Sequence, residues 1–381
     1  MITVREYEKI FANDFEHFDE LSKFVEASEF LSLGWQRNGG AYVQAKNYVG
    51  VICLPSGFQI EILPKLDAPK ENLRGLVVEM IRTLKNFNGK KFLNTELDTA
   101  KLPLYEIFIR NYLEMVLDLV KRGLRSSYIL REENLNFFKG KLLVNENLRR
   151  NVAHREKFFV EFDEYSLDRP EHRFIKSTLL KILYTTHEQK NFMLANRLLA
   201  DFDSVEQSFN YQKDFVEVSI DRLNRDYKTV MEWTKIFLSD KSFTSFAGKS
   251  RAVALLFPME RLFEAYVAAQ IQKFFADFNV KIQAQEKYLF DNSQDYKLRP
   301  DIILDDGKII MDTKWKFEIS AGDMYQMFAY AKRYDAKKIF LLCPSQVDRN
   351  FFYHAEDFVV QIFCVNLFDM ATSMSNLRDL L

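Results

Sequence analysis

Cysteine is nearly absent from this chain. Among 381 residues there are three, Cys53, Cys343 and Cys364. An odd, sparse set at these spacings makes neither a disulfide framework nor a zinc site, and it suits a reducing compartment. The five histidines, His17, His154, His172, His187 and His354, are scattered. None stands at metal-ligand spacing, and no Ser, His or Cys triad emerges. An excess of charge of one sign is also lacking. The 53 Lys and Arg against 54 Asp and Glu leave a net charge of −1, so a nucleic-acid surface has to be a local patch. No apolar run approaches the ~20 residues of a membrane helix. Near Met1 no basic stretch precedes an apolar one, so no secretory signal is visible. A soluble, cytoplasmic protein is expected. No GxxxxGK[ST] loop is present, and Gly248-Lys249-Ser250 lacks the earlier glycine. The chain is therefore not expected to hydrolyse nucleotides by itself.

What is present is aromatic and patterned. The 36 Phe and 17 Tyr are ordinary material for large cores. The length suggests two or three domains, and an α+β multidomain protein is expected. Residues 1–97 read as mixed, with an acidic, partly helical start. The stretch Tyr48–Lys65 reads as strand, Pro55-Ser56-Gly57 turn and strand. Phe58, Ile60 and Ile62 alternate there with Gln59 and Glu61, the mark of a half-buried strand. Residues 98–245 read as mainly helical, with Gly123 closing a helix that starts near Leu104. A strand and loop surround Gly140, and Pro170 opens another helix. Ser239–Ser250 reads as a loop and a domain boundary. Beyond it, residues 246–381 read as helix, strand, hairpin, helix from about Ala321 to Tyr334, strand and strand. That order describes a small α/β domain with a mixed sheet.

The hairpin carries the chemistry. Asp306-Gly307 between apolar runs predicts a two-residue type I′ turn. Ile303 then faces Ile310, and Asp301 faces Asp312 on the same side of the sheet. Like charges opposed in this way are destabilising. Other readings are solvated edge charges, a structural network with Lys314 and Arg299, or a register off by one. The functional reading is a Mg²⁺ site, because Mg²⁺ takes oxygen ligands from one or two carboxylates plus water and phosphate. Lys314, on the same face, then holds a water or stabilises a phosphate. The order Pro300-Asp301, then Asp312-Thr313-Lys314, is the pattern of PD-(D/E)xK nucleases. The resemblance to those nucleases implies a third carboxylate from the preceding helix, where Glu260 and Glu264 share a face; either alone reads more readily as a surface glutamate. Gln326 and Tyr330 share a face of the following helix.

The sequence resembles the McrC family, the nuclease subunits of McrBC-type modification-dependent restriction systems. The likeness runs through Tyr48–Lys65, Arg122–Leu142, Phe162–Leu179, Leu262–Val267, Arg299–Leu304, Asp312–Lys316 and Tyr325–Tyr334. It implies a carboxy-terminal PD-(D/E)xK domain (246–381) that cuts DNA with Mg²⁺. It also implies an amino-terminal adaptor region (1–245) that docks on a ring of McrB-type AAA+ GTPase subunits and stimulates their GTP hydrolysis. GTP would be used by the partner, and double-stranded modified DNA would be the substrate. By motif, Asp301, Asp312 and Glu264 would be metal ligands, with Glu260 second to Glu264. Lys314 would be the catalytic lysine and Gln326 an accessory residue. A stand-alone nuclease and a non-catalytic GTPase-activating assembly protein are the alternatives.

Overall fold

A computed structural model describes residues 1–26, 30–37, 39–84, 102–208, 211, 215–216, 218, 226–238, 253–283, 287–345 and 350–381. The expected loop at 239–250, the boundary near 245 and the end of the first part near residue 97 lie outside the described residues. The chain divides into two compact units. Met1–Ile107 and Lys241–Leu381 together form one, and Phe108–Asp240 forms the other. Mixed α and β structure is as expected. No described helix is long and apolar enough to cross a membrane.

The larger unit opens with β1 (Ile2–Arg5), β2 (Lys9–Phe11), the helix Phe18–Glu26, β3 (Leu31–Gln36), β4 (Gly40–Ala45), β5 (Tyr48–Cys53) and β6 (Gln59–Leu63). The helix Lys70–Thr83 follows. Strands β2, β4 and β3 make a three-stranded antiparallel sheet. A four-stranded sheet has the order β1-β6-β5-β10, where β10 (Val253–Pro258) comes from far along the chain. That strand was not expected. An unbroken apolar run does not by itself distinguish a buried strand from the start of a helix. Its antiparallel pairing with β5 requires Gly50: a Cβ there would stand 1.9 Å from the Leu255 carbonyl oxygen.

Strand β6 corrects the half-buried expectation, since every residue in it is buried. Glu61 is tolerated because Arg74 forks onto both its oxygens at 2.9 and 2.8 Å. Thr3 Oγ1 and the Leu104 N–H also donate to it, at 3.0 and 2.9 Å. Removing one partner of such a pair costs about 3–5 kcal/mol. The surrounding core is aliphatic and aromatic, with Ile52, Ile60, Ile62, Leu256, Phe30 and Leu31 among its members.

The second unit begins within the helix Leu104–Arg122, which ends at Gly123 with φ +89° as expected. It contains β7 (Ser127–Leu135), β8 (Lys141–Leu142), the helix Val144–Arg150 and β9 (Phe158–Ser166). The helices Pro170–Thr185, Gln189–Asp201 and Tyr227–Leu238 complete its described part. Trp233 and Tyr112 are fully buried, and the Tyr112 hydroxyl meets Thr234 Oγ1 at 2.9 Å. Strands β7 and β9 pair over nine residues. Tyr128 and Tyr165 face each other there, with ring centroids 5.2 Å apart and both rings exposed.

Returning to the larger unit, β10 runs directly into the helix Met259–Phe274. Then come β11 (Val280–Ile282), β12 (Lys287–Tyr288), β13 (Lys297–Leu298), β14 (Ile302–Leu304) and β15 (Ile309–Thr313). The helix Ala321–Tyr334 occupies the expected span, its start fixed by a capping box between Ser320 and Asp323. Next are β16 (Lys338–Ser345), β17 (Asn350–His354), β18 (Val359–Asn366) and the helix Met370–Arg378. Strand β17 and the last helix were not expected. The six-stranded sheet has the order β11-β14-β15-β16-β18-β17. It is mixed: β15, β16 and β18 are parallel, and the remaining pairings are antiparallel. Its central strands are buried on both faces, which explains their continuous apolar runs.

Candidate active site

The β14–β15 hairpin has the expected register. Ile302 pairs with Met311, Ile303 with Ile310 and Leu304 with Ile309. Carried one residue further, the same register opposes Asp301 to Asp312. The turn has the positive φ that the Asp-Gly pair predicts, but it is longer than a two-residue loop: Asp305 is left-handed as well, at φ +48°, and strand pairing stops at Leu304 and Ile309. Asp306 and Gly307 have φ of +55° and +101°, and the Lys308 N–H donates to the Asp305 carbonyl at 3.3 Å.

The two carboxylates are held differently. Asp301 Oδ2 accepts both the N–H and the hydroxyl of Thr313, each at 2.7 Å. Asp312, 2% exposed, has the Lys314 ammonium 2.6 Å from its Oδ2. Lys314 continues the β15–β16 pairing, its N–H donating to the Leu342 carbonyl at 2.9 Å. Its side chain thus leaves a backbone that cannot shift freely.

Glu264 joins the pair from the helix Met259–Phe274, and Asp301 is the charge that most opposes its ionisation. Gln283 anchors it: the Gln283 side-chain amide donates to Glu264 Oε1 at 2.5 Å, while its backbone N–H donates to the Asp301 carbonyl at 2.8 Å. Gln283 does this in the left-handed region, at φ +52°. No sequence signal marked it, because a left-handed glutamine just past a strand leaves no pattern. Of the two candidate helix carboxylates, Glu264 is the one beside the aspartates. Glu260, one turn earlier, is exposed, and its charge acts on Glu6.

Gln326 is not bonded to the carboxylates. Its amide donates to the Tyr330 hydroxyl at 2.7 Å, which donates to the Arg299 carbonyl at 3.0 Å. Tyr330 is buried and faces the charges of Asp312 and Asp301. Burial first, and then those charges, hold its hydroxyl protonated. Gln326 is thus held beside a tyrosine that lies in the field of the two aspartates.

The electrostatics are those of a negative cluster short of positive charge. Burial and the Asp301 charge raise the Asp312 carboxyl well above the carboxylate range. Burial raises Asp301, against the opposing Thr313 hydrogen bonds and Lys314. Glu264 is raised by burial and by Asp301. Burial pulls Lys314 down, but Asp312 and Asp301 outweigh it, so the ammonium form is favoured. With all four groups ionised, three carboxylates face one ammonium, leaving two negative charges uncompensated. Hard oxygen donors with that deficit fit a divalent cation such as Mg²⁺. Among the described residues no three His, Cys, Asp or Glu side chains form a ready-made ion cage. Mg²⁺ rarely asks for one, because it keeps waters and substrate oxygens in its shell.

Comparison with known proteins bears out the family resemblance. No curated protein matches the chain. Two solved structures from Thermococcus gammatolerans are similar. One is a refined half-complex from a tetradecameric assembly of McrB AAA+ hexamers with bound McrC, at TM-score 0.72 and 18% identity over 100% of both chains. The other is a cryo-EM structure of the McrBC complex, at TM-score 0.51 and 22% identity, covering 76% of this chain and 89% of that one. The sequence pattern of the family described as McrBC 5-methylcytosine restriction system component matches residues 43–344, from β4 through the hairpin to β16. With that match spanning well over half its length, the chain belongs to the McrBC family of 5-methylcytosine restriction system components.

Proposed function

We propose that this chain is the McrC-type, DNA-cleaving subunit of a McrBC-like restriction complex. The observation that carries the reading is the meeting of the buried Asp312 with the half-buried Asp301, Glu264 and Lys314 in a chain of this family. In this reading residues 246–381 are a PD-(D/E)xK nuclease domain and residues 1–245 an adaptor region.

Asp301 and Asp312, joined by Glu264, would hold Mg²⁺. Bound there, the ion supplies positive charge to a phosphodiester and acidifies a water. The protein's own groups do the rest. Thr313 fixes Asp301, Gln283 fixes Glu264, and Asp312 holds the Lys314 ammonium at the cluster. Lys314 stabilises negative charge gathering on the phosphate oxygens or orients the attacking water. Gln326, through Tyr330, closes the other flank.

The partner in this reading is a McrB-type AAA+ GTPase ring, since one of the similar Thermococcus structures is an assembly of McrB AAA+ hexamers with bound McrC and the other is a McrBC complex. The sequence has no phosphate-binding loop, so GTP belongs to the partner, whose hydrolysis this chain would stimulate. The substrate would be modified double-stranded DNA, and the complex cytoplasmic. The second unit offers a docking face. Tyr128, Leu130 and Tyr165, which the register places on one face of the β7–β9 pair, are all more than half exposed there. Apolar side chains clustered in this way mark interaction surfaces.

The test is cleavage of methylated and unmethylated DNA with Mg²⁺ and GTP, with and without the partner, by wild type and Asp312→Ala. Cutting only with partner and GTP, lost in Asp312→Ala, is the expected result. Robust cutting without the partner would point instead to a stand-alone nuclease. No cutting, with faster GTP hydrolysis by the partner, would leave the chain a GTPase activator alone.

A further inference from the structure

Trp315 directly follows Lys314, and its ring is 4% exposed. It packs on Phe263, the residue before Glu264, with ring centroids 5.4 Å apart. One indole therefore touches the chain beside two members of the cluster. A buried indole N–H needs an acceptor. Here the acceptor comes from the opposite end of the sequence: Nε1 donates to Glu6, 3.2 Å from each carboxylate oxygen.

Glu6 is itself built into the fold. It is 3% exposed and sits just past the end of β1. Its N–H donates to the Leu63 carbonyl at 2.9 Å, and its Oε2 accepts the Lys65 N–H at 3.1 Å. Tyr7, next in the chain, adopts φ +62° and donates its N–H to the Ala45 carbonyl. The carboxylate is thus held from both sides of its own backbone. A buried carboxylate is costly, and burial raises its pKa to about 7. An apolar side chain would fill the same space but leave the indole and Lys65 N–H groups without an acceptor, so the use of the acid lies in the hydrogen bonds it receives.

The four-stranded sheet explains how the two ends meet. Its order is β1-β6-β5-β10. One outer strand, β10, runs straight into the helix carrying Glu264. The other, β1, delivers Glu6 to Trp315. Both edges of this sheet lead to the same cluster, one through a helix and one through a hydrogen bond.

We infer that Glu6 is a positioning residue for the Asp301–Asp312–Glu264–Lys314 site, acting through the Trp315 indole. This rests on the nuclease reading of that site. Glu6 fixes the ring, and the ring fixes both the strand end bearing Lys314 and the helix face bearing Glu264. The amino-terminal sheet is in this sense part of the catalytic platform.

The experiment uses the full chain assembled with its McrB-type partner, on methylated plasmid with Mg²⁺ and GTP. It compares wild type, Asp312→Ala, Glu6→Ala, Glu6→Gln, Trp315→Phe and the Glu6→Ala/Trp315→Phe double variant. All are assayed well below their melting temperatures and normalised to folded protein by circular dichroism. A displacement on the ångström scale at a reacting centre costs up to about 100-fold. Glu6→Ala and Trp315→Phe should each lower kcat about 10- to 100-fold, with the half-saturating DNA concentration unchanged. Glu6→Gln, whose amide oxygen still accepts the indole N–H, should stay within about threefold of wild type. The double variant should be no worse than the poorer single variant, as expected for groups acting as a unit. A Glu6→Ala chain with undiminished kcat beside an inactive Asp312→Ala would overturn the inference, as would losses that multiply in the double variant. Should Glu6→Ala fail to fold, Trp315→Phe, which removes the indole N–H, decides between the same outcomes: an undiminished kcat overturns the inference. Equal cutting by wild type and Asp312→Ala would sink the nuclease reading itself, and the inference with it.

Discussion

Thr313 gives both its backbone N–H and its hydroxyl to a single oxygen of Asp301, each at 2.7 Å. The residue between the aspartate and the lysine of the second strand thus clamps the aspartate of the first. In the proposed site the clamp would leave Asp301 Oδ1 as the oxygen to offer a ligand. Thr313→Val keeps the shape and the backbone bond but removes the hydroxyl. About 1 kcal/mol of stability should go with it, and DNA cleavage should fall about tenfold as Asp301 gains freedom. Full activity in a titrated cleavage assay would show the hydroxyl to be dispensable.

Lys314 is the cluster's single ammonium, 2.6 Å from Asp312. Lys314→Met retains the length of the side chain without its charge. Cleavage should fall at least about 100-fold, the scale seen when one charge-stabilising donor is removed from a reacting centre. Lys314→Arg should not rescue it, because a planar guanidinium cannot occupy a point-charge position. Stimulation of GTP hydrolysis by the partner should survive in both variants, separating the site from the docking surface.

Asp312 links function to stability through pH. Burial and Asp301 raise its carboxyl from 3.8 to about 7. The folded chain therefore binds this proton more tightly than the unfolded chain. The stabilising contribution of that proton is present below about pH 4 and is lost as the pH rises through about 7. Asp312→Asn mimics the protonated form. Without divalent ions at pH 8 it should be more stable than wild type by on the order of 1–3 kcal/mol, and at pH 4 the difference should vanish. Adding millimolar Mg²⁺ at pH 8 should raise the melting temperature of wild type but not of Asp312→Asn. Calorimetry at the two pH values checks both statements. A variant less stable than wild type at pH 8 would mean that losing the Lys314 pair outweighs the relief of repulsion.

The exposed Tyr128–Tyr165 pair makes a separate forecast. Tyr128→Ala with Tyr165→Ala removes a cross-strand aromatic contact of about 0.5–1 kcal/mol, a small loss for the unit. Association with a McrB-type partner should weaken about tenfold or more if these rings are buried in the assembly. Cleavage chemistry, measured at saturating partner, should be unchanged. Sedimentation of the complex reads the first effect, and an unaltered affinity would move the docking face elsewhere.

Parts of the site were legible because they rest on local rules. An Asp-Gly turn sets the hairpin register, and period two then puts Asp301 and Asp312 on one face. The i, i+4 spacing put Glu260 and Glu264 together, but spacing could not choose between them. The choice came from the turn of the helix toward Asp301, which is a matter of packing. Gln326 was expected as an accessory residue on one helix face with Tyr330, and it does bond Tyr330, though spacing could not say what lies beyond that pair. A helix face shows direction but not reach.

Other features were invisible for a common reason. Alternation in β6 suggested one wet face, yet Glu61 lies at full burial against Arg74. A charge in a strand does not reveal whether a partner will follow it inside. Strand β10 and the Glu6–Trp315 bond join segments roughly two hundred and three hundred residues apart, and no window of sequence contains both halves. By itself, then, the sequence determined the turn, the register of the two aspartates, the helix between β15 and β16, and the family. Only the tertiary structure decided which glutamate completes the cluster, that Gln283 anchors it, and that the amino-terminal sheet feeds it from both edges. Hydrogen-bond register and helical period are properties of neighbours in the chain, whereas burial and charge pairing are properties of neighbours in space.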